Sequence, residues 1–184
     1  AKVGDVLILT KPVGVGILNT CIKEALLEQR LVDEAIRVMA TLNKTSGELM
    51  TQIGANACTD ITGFGLIGHA LEMADGSKVS IELDSGVVPI MEGALENAQM
   101  GLVPAGTYRN RAYAGDRVWL DPNLSEALVD VLYDPQTSGG LLISLEPERA
   151  DALEALYRER LETDFARVGR VLPRGDKSIY VRGS

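Results

Sequence analysis

The chain has 184 residues, of which 46% are hydrophobic and 24% are charged, and its formal net charge is −8. The acidic charge argues against a nucleic-acid or anionic-membrane partner, because both bind basic surfaces. No apolar stretch approaches the roughly 20 residues that a membrane span requires, and the N-terminus lacks the pattern of a signal peptide. We therefore expect a cytoplasmic globular protein with no nucleic-acid or membrane partner.

The first part of the chain predicts one strand followed by helices. Residues 5–10 are rich in Val, Ile and Leu, which is typical of a buried strand. Apolar residues at helical spacing predict amphipathic helices at 17–26 and 33–42, and helical character continues over 44–54. A further helix is expected to begin at Phe64.

The middle of the chain is less regular. A turn is expected at Asp75-Gly76, followed by a half-buried strand at 79–83, where apolar and polar residues alternate. Pro89 is placed to open a helix. Residues 99–116 show neither a helical nor a strand period, so they predict a long irregular loop. Such a loop in a compact domain usually binds a ligand or a partner.

The last part of the chain alternates helices and strands. Ser125 is a suitable N-cap for a helix at 125–132, and Pro147 opens another helix after a strand at 141–145. Two more strands are predicted near the C-terminus, at 165–172 and 178–181. Four or five strands among a similar number of helices favour one α/β (α+β) sandwich over residues 1–184, with a mixed sheet covered by helices.

The two cysteines, Cys21 and Cys58, are too few for a disulfide scaffold and are not spaced as a metal knuckle. Cys21 falls on an apolar helical face, and Cys58 stands beside small residues. Neither has a neighbour in the sequence that would lower the pKa of its thiol, as a nucleophilic cysteine requires. We expect both to be buried, reduced thiols.

The stretch 56–70, NACTDITGFGLIGHA, carries the densest chemistry of the chain. Its carboxylate, Asp60, lies between Thr59 and Thr62 in what reads as an acidic loop before a helix. The free N–H groups of a helix start attract anions, and Mg²⁺ needs only one or two protein carboxylates beside the phosphates it bridges. The stretch therefore suits a metal or an anion. The structural alternative is close helix packing for its glycines and an Asx turn or cap for Asp60. The glycines are Gly63, Gly65 and Gly68.

These glycines also match the spacing of the dinucleotide fingerprint, and Asp84 follows near the position of a ribose-binding acid. The context disfavours this alternative. The fingerprint needs a buried strand before its first glycine, whereas a helical region and an acidic loop are expected here. The Asp60 carboxylate would also face the pyrophosphate.

Other polar residues are more easily explained as structural. His69, the single histidine, lies on a helix with an apolar face, which is typical of a satisfied structural side chain. Gly139-Gly140 reads as a turn before a strand. Arg109 and Arg111 could hold phosphate, but arginines in loops are usually solvated or contact a neighbouring subunit.

Three stretches resemble signatures of the selenophosphate synthetase (selenide, water dikinase) family. They are ACTDITGFGLIGHA at 57–70, VPAGTYRN at 103–110 and DPQTSGGLL at 134–142. Three motifs in the same order are far more specific than one glycine pattern, and the resemblance extends over essentially the whole chain. It corresponds to the C-terminal domain shared by the aminoimidazole ribonucleotide synthetase superfamily. Thiamine-phosphate kinases and hydrogenase-maturation proteins, which belong to the same superfamily, carry different letters at the two glycine motifs.

The resemblance implies an enzyme that converts ATP, selenide and water into selenophosphate, AMP and orthophosphate, with Mg²⁺ bridging the phosphates. By the same resemblance, Asp60 is the metal ligand that this domain contributes. Thr59, Thr62, Gly63 and Gly65 would shape the loop that presents it. This fits the physics of phosphoryl transfer, which consists mostly of positioning and charge neutralisation.

No catalytic residue is expected in this chain itself. The resemblance places the family's reactive cysteine or selenocysteine, a lysine and the remaining aspartates in an N-terminal domain outside these 184 residues. We therefore expect an inactive fragment whose partners are that N-terminal domain and, in the full-length family, a second copy. Two alternatives stay open. One is a non-catalytic binding or assembly domain that uses residues 99–116, and the other is the C-terminal half of another ATP-dependent superfamily member.

Overall fold

The structure, a computed structural model, describes residues 1–183, in which it has seven strands and eight α-helices. Two short 3₁₀ helices, at Ser85–Val87 and Gly115–Arg117, link some of them. The strands are β1 (Val6–Leu9), β2 (Ala57–Asp60), β3 (Ser80–Asp84), β4 (Val118–Leu120), β5 (Leu141–Leu145), β6 (Ala166–Leu172) and β7 (Ile179–Arg182). The helices are α1 (Val15–Lys23), α2 (Gln29–Ala40), α3 (Lys44–Ile53), α4 (Gly65–Ser77), α5 (Ala94–Gln99), α6 (Ala105–Ala114), α7 (Glu126–Tyr133) and α8 (Pro147–Arg160).

All seven strands form one sheet in the order β2-β5-β1-β6-β3-β7-β4. The pairs from β2 to β3 are antiparallel, and β7 runs parallel to both β3 and β4. The sheet is therefore mixed, as predicted, and β2 and β4 are its two edges. The predicted α/β architecture, a mixed sheet covered by helices, is confirmed.

Helices cover the sheet on both faces, and β1 is therefore buried on both sides. Leu7 and Leu9 point into the large core that α4 and α7 share with the sheet. Ile8 points the other way, into a smaller core built with α3 and α8. Tyr157 fills that second core, and its hydroxyl donates to the Ser46 carbonyl oxygen at 2.9 Å. Alternating side chains on a strand buried on both faces explain the continuous apolar run of the sequence.

The most periodic segments form where the sequence predicts them. The helix predicted at 125–132 is α7, and the Ser125 hydroxyl caps it by accepting the Leu128 N–H at 3.2 Å. Pro147 opens α8 at its first position. The last two predicted strands are β6 and β7. Within residues 1–183, no helix combines the length and apolar character needed to cross a bilayer.

The prediction of an irregular loop at 99–116 is wrong, since α6 occupies most of this segment. This helix buries only Thr107, Asn110 and Ala114, and two of these side chains are polar. So narrow and polar a stripe gives no apolar period, which is why the pattern concealed a helix.

Two boundaries also differ from the prediction. The helix expected from Pro89 begins only at Ala94, because Gly93 takes a positive φ of 83° directly before it. The turn expected at Asp75-Gly76 is the last part of α4, which ends in a left-handed Lys78.

The sequence patterns did not predict the short edge strands β2 and β4. In β2, side chains alternate between half-buried and exposed over only four residues. A strand this short has no apolar run to identify it, and tertiary pairing with β5 decides its conformation. The stretch expected to be an acidic loop is therefore partly a strand.

Candidate functional site

Asp60 is the last residue of β2 and lies opposite Leu141 of β5. Because β2 is an edge strand, one of its hydrogen-bonding edges is free, and Cys58 and Asp60, which lie on the same face of the strand, are both exposed. The half-buried Thr59 alternates with them. None of the ion pairs within residues 1–183 involves Asp60. The carboxylate is therefore presented outward at the edge of the sheet.

The stretch 134–142 packs directly against the chain that follows Asp60. The Ile61 N–H donates to the Gly140 carbonyl oxygen at 2.8 Å, and the Gln136 N–H donates to the Thr62 carbonyl oxygen at 2.9 Å. A Cβ atom on Gly139 would lie 2.0 Å from the Ile61 carbonyl oxygen. The two backbones can approach this closely only because residue 139 has no side chain.

The stretch 103–110 joins the other two through α6. The Asn110 side-chain amide donates both to the Gly63 carbonyl oxygen and to the Tyr133 carbonyl oxygen, each at 2.9 Å. A Cβ on Gly106 would lie 2.9 Å from Cγ of Pro135. The helix is therefore tied to the stretches on either side of it by one buried amide.

Gly65 completes the contact between the stretches. Its φ is +72°, and a Cβ there would lie 2.7 Å from the Tyr133 carbonyl group. Gly65 therefore meets both demands that favour glycine, a left-handed φ and a close backbone approach. Gly63, by contrast, has open space where a Cβ would stand. The three stretches, far apart in the sequence, meet at residues 133–136.

The side chains of Asp134 and Gln136 close the N-terminus of α1. Gln136 Oε1 accepts the N–H groups of Gly14 and Val15, both at 3.2 Å. Asp134 Oδ2 accepts the Gly16 N–H at 2.8 Å and a 2.8 Å hydrogen bond from the Gln136 amide. The free N–H groups of this helix start thus bind side chains of the third stretch, which gives that stretch a structural role.

A cavity of about 470 Å³ opens where the start of α4 faces α6. Phe64 and Tyr113 stack across part of it, with ring centroids 5.3 Å apart. The cavity joins the first stretch to the second and lies beside the chain that follows Asp60. Its lining residues are Thr62, Gly63, Phe64, His69, Gly106, Arg109, Asn110 and Tyr113.

The residues present suit part of a magnesium site. Within residues 1–183 there is no group of three or more His, Cys, Asp and Glu side chains that could hold a metal. Asp60 offers a single exposed carboxylate. Mg²⁺ commonly binds one or two carboxylates together with water and substrate phosphates, so this donor fits Mg²⁺ as a contribution to a site completed by other groups.

Comparison with known families shows the family to which this chain belongs. Residues 2–182 match the family described as AIR synthase related protein, C-terminal domain. The chain belongs to this family. The AIR synthase related domain therefore accounts for essentially the whole sequence.

Curated relatives of this AIR synthase related domain include several selenide, water dikinases. The one from Clostridioides difficile (strain 630) is 50% identical over 98% of this chain and 52% of its own length. The one from Caldanaerobacter subterraneus subsp. tengcongensis is 50% identical over 99% of this chain and 53% of its own length. The chain thus spans about half the length of the curated relatives it matches.

Solved structures of low sequence identity share the fold. The hydrogenase maturation protein HypE aligns with a TM-score of 0.71 at 20% identity, over 100% of this chain and 51% of that one. Thiamine-monophosphate kinase from Stenotrophomonas maltophilia K279a aligns with a TM-score of 0.65 at 20% identity, over 100% and 52%. At this identity, these likenesses establish the architecture alone.

The structure corrects the expectation for Cys58. Cys21 is fully buried, as predicted, but Cys58 lies exposed on the open side of β2. Partial burial around its sulfur nevertheless raises the pKa of the Cys58 thiol to about 11, with a smaller contribution from the Asp60 charge. The thiol therefore stays protonated near neutral pH, which agrees with the expectation that it is not a nucleophile.

The topology excludes the dinucleotide alternative. A strand does precede the glycines, contrary to expectation, but β2 is an exposed edge strand. In the sheet, β5, β1 and β6 separate it from β3, so β2, α4 and β3 do not form a βαβ unit of neighbouring parallel strands. Asp84 caps its own turn by accepting the Gly86 N–H at 3.0 Å.

The structural expectations for the remaining polar residues hold in part. Arg111 pairs with Glu126 at 2.6 Å and with Asp130 at 3.0 Å, so it ties α6 to α7. Arg109 lines the cavity instead. The sequence could not separate these two arginines, because the helix that sends them in different directions was itself not predicted.

Replacing Gly139 tests the close approach of the two backbones. We expect Gly139→Ala to lower the free energy of unfolding by about 3 kcal/mol or more, because the new Cβ would overlap the Ile61 carbonyl group. The matched control is Gly76→Ala, at an exposed helical position with open space, which should stabilise the chain by up to about 1 kcal/mol. Urea unfolding of both variants measures the difference. Equal, small effects would show that the approach at Gly139 is not tight.

Asp134 makes a separate prediction about pH. Burial raises the pKa of this carboxyl to about 7 from an ordinary value of 3.8, and it outweighs the hydrogen bonds from α1 and Gln136 that favour the charged form. Because the folded pKa lies above the unfolded one, the contribution of Asp134 to stability is complete below about pH 4. It is lost as the pH rises through about 7, by up to roughly 4 kcal/mol.

The comparison with Asp134→Asn isolates this effect, since the contributions of all other carboxyl groups cancel. Urea unfolding between pH 4.5 and pH 8 should show the wild-type chain losing stability relative to the variant as the pH rises. A constant difference over that range would contradict the assignment.

Proposed function

We propose that this chain is the C-terminal half of a selenide, water dikinase. The observation that carries the proposal is the 50% identity to curated selenide, water dikinases over 98% of the chain. The three stretches that resemble the family's signatures all lie inside this matched region. In the structure they converge on one place, which supports a shared functional purpose.

In this proposal, Asp60 is a ligand of Mg²⁺ that bridges the phosphates of ATP. The carboxylate is exposed, is free of ion pairs within the described residues and lies at an open sheet edge. One carboxylate on an acidic chain cannot hold a triphosphate by itself, so the remaining charge neutralisation has to come from the metal and from groups outside this chain. The bound metal would supply charge stabilisation at the phosphates.

The residues around Asp60 set its position. The β2–β5 pairing fixes the strand, and the Ile61 N–H bond to Gly140 fixes the chain directly after it. Thr59, Thr62, Gly63 and Gly65 would shape this segment, with Gly65 required for its backbone conformation. These residues hold and orient the carboxylate, and they donate no catalytic group of their own.

The partners follow from the length of the relatives. We propose that the other half of the protein, N-terminal to this domain, covers the edge at Asp60 and supplies the nucleophile and the further metal ligands. ATP and selenide would be the substrates, in a cytoplasmic, dimeric enzyme. One relative in fold is recorded as HypE in complex with ATP, which supports a nucleotide in this kind of architecture.

A second candidate is an assembly domain without a catalytic part. The exposed aromatic residues Phe64, Tyr108 and Tyr113 favour it, because Phe64 stacks on Tyr113 and both tyrosines lie on α6. Such residues are common at protein interfaces. The two candidates differ in whether Asp60 is required for activity.

Substituting Asp60 in the full-length protein tests the proposal. We expect Asp60→Asn to lower selenophosphate formation by at least about a hundredfold, because the amide carries no charge for the metal. Asp176→Asn is the matched control at an exposed acidic position on the far loop, and it should leave the rate unchanged. Phosphorus NMR of the products measures both. Wild-type activity in Asp60→Asn would contradict the role of this carboxylate as a metal ligand.

The isolated chain should bind Mg-ATP weakly or not at all. Calorimetric titration of the 184-residue chain with ATP and Mg²⁺ should therefore show no binding tighter than roughly millimolar. Tight binding would mean that the site is complete within this chain.

A further inference from the structure

His69 forms a relay that the proposed function leaves unused. It is the single histidine of the chain, and only 9% of its side chain is exposed. Its Nδ1 lies 3.0 Å from Oε2 of Glu72. Its Nε2 lies 3.0 Å from Oγ1 of Thr62 and 3.4 Å from the backbone nitrogen of Phe64.

Two contacts fix the direction of the hydrogen bonds in this relay: the Glu72 carboxylate, which accepts from Nδ1, and the backbone N–H of Phe64, which donates to Nε2. A backbone N–H can only donate, so His69 Nε2 has to be the acceptor and carries no proton. The ring proton then resides on Nδ1 and is donated to the Glu72 carboxylate. Nε2 has one lone pair, which the Phe64 N–H at 3.4 Å and the Thr62 hydroxyl at 3.0 Å share. Because two acceptors do not bond each other, the shorter contact requires the hydroxyl of Thr62 to donate its single proton to His69.

Thr62 is therefore a hydrogen-bond acceptor for anything else that reaches it. A hydroxyl has one proton and two lone pairs, and Thr62 lines the cavity between α4 and α6. Without His69 the hydroxyl could rotate and either donate or accept. With His69 held by Glu72, only its lone pairs are left for a ligand.

The same cavity also has a positively charged side chain in its lining. Arg109 lines it, and no ion pair within residues 1–183 involves this guanidinium. Asn110 offers no donor there, because its amide is bonded to the Gly63 and Tyr133 carbonyl oxygens. The cavity thus combines one positive charge with one obligatory acceptor.

We propose that this cavity binds an oxyanion that still carries a proton, such as hydrogen phosphate. Arg109 would bind two oxygens of the anion through its planar guanidinium. The protonated oxygen would donate to Thr62. A fully deprotonated oxyanion of the same shape and charge has no proton to donate to Thr62. Its oxygen would face the lone pairs of the Thr62 hydroxyl, and two acceptors repel each other. His69 is then a positioning residue that makes the site selective for a protonated ligand.

This assignment rests on the geometry of the chain itself and goes beyond the proposed function. It requires neither the other half of the protein nor Asp60. Its failure would leave that function standing, since the test measures binding to this chain and not turnover.

Hydrogen phosphate and sulfate provide a direct test. Near pH 8 both are tetrahedral dianions, but only phosphate keeps a proton. Calorimetric titration of the 184-residue chain at constant ionic strength should give roughly tenfold tighter binding of phosphate than of sulfate, the ratio expected for one hydrogen bond to a charged ligand.

The variants separate the two parts of the site. Thr62→Val should abolish the preference for phosphate, whereas Thr62→Ser, which keeps the hydroxyl, should retain it. Arg109→Gln should weaken both anions together. Arg160→Gln is the matched control, because Arg160 lines a different cavity, near Lys44 on the opposite side of the sheet, and should leave both affinities unchanged.

The single histidine makes the relay visible by NMR. Long-range proton–nitrogen spectra of the labelled chain should show the proton on Nδ1 and none on Nε2, and phosphate should shift both nitrogen resonances. Equal affinities for phosphate and sulfate in the wild-type chain, an Nε2–H tautomer, or a preference that survives Thr62→Val would each overturn the assignment. So would the absence of phosphate binding.

Discussion

The close passage of two backbones at Gly139 and Ile61 is the constraint on which the site depends. The chain entering β5 can lie against the chain leaving β2 only because residue 139 lacks a side chain. This contact sets the edge strand beside β5 and fixes where β2 stops. Asp60 therefore ends a strand whose position is determined by a turn more than 70 residues away, not by its own local sequence.

The same turn also organises the rest of the domain. Asp134 and Gln136 close the start of α1, Pro135 receives α6 at Gly106, and the Tyr133 carbonyl group meets both Gly65 and Asn110. One segment of a few residues thus connects a helix from the beginning of the chain, the stretch around Asp60 and the helix that lines the cavity. A buried network of this kind loses several contacts at once when one member changes.

The exposed position of Asp60 suits the role of metal ligand that we propose for it. A chain with a net charge of −8 repels a free nucleotide, and one exposed carboxylate adds to that repulsion unless a divalent cation lies between them. The edge of the sheet is thus suited to a site that is completed from outside, in keeping with relatives twice as long as this chain. The cavity beside it differs in character, since its ligand-facing groups are a cation and an acceptor hydroxyl.

Sequence patterns predicted the elements whose side chains bury a regular apolar face, such as β1 and α7, because period and capping there are local properties. They missed α6, whose buried stripe of Thr107, Asn110 and Ala114 is polar, and β2, which exists because it pairs with β5. They identified Asp60 and its glycines as unusual, but not the convergence with residues 103–110 and 134–142. That convergence depends on backbone contacts between distant segments, which no local pattern records. His69 was correctly expected to be satisfied, while the direction of its hydrogen bonds required the position of the Phe64 N–H.

We propose that this domain supplies one part of an ATP-consuming site and not the whole of it. The most direct measurement compares the full-length protein with the 184-residue chain for selenide-dependent conversion of ATP to AMP and orthophosphate. We expect conversion by the full-length protein and none by the chain alone. Conversion by the isolated chain at a comparable rate, or no selenide-dependent AMP from the full-length protein, would contradict it.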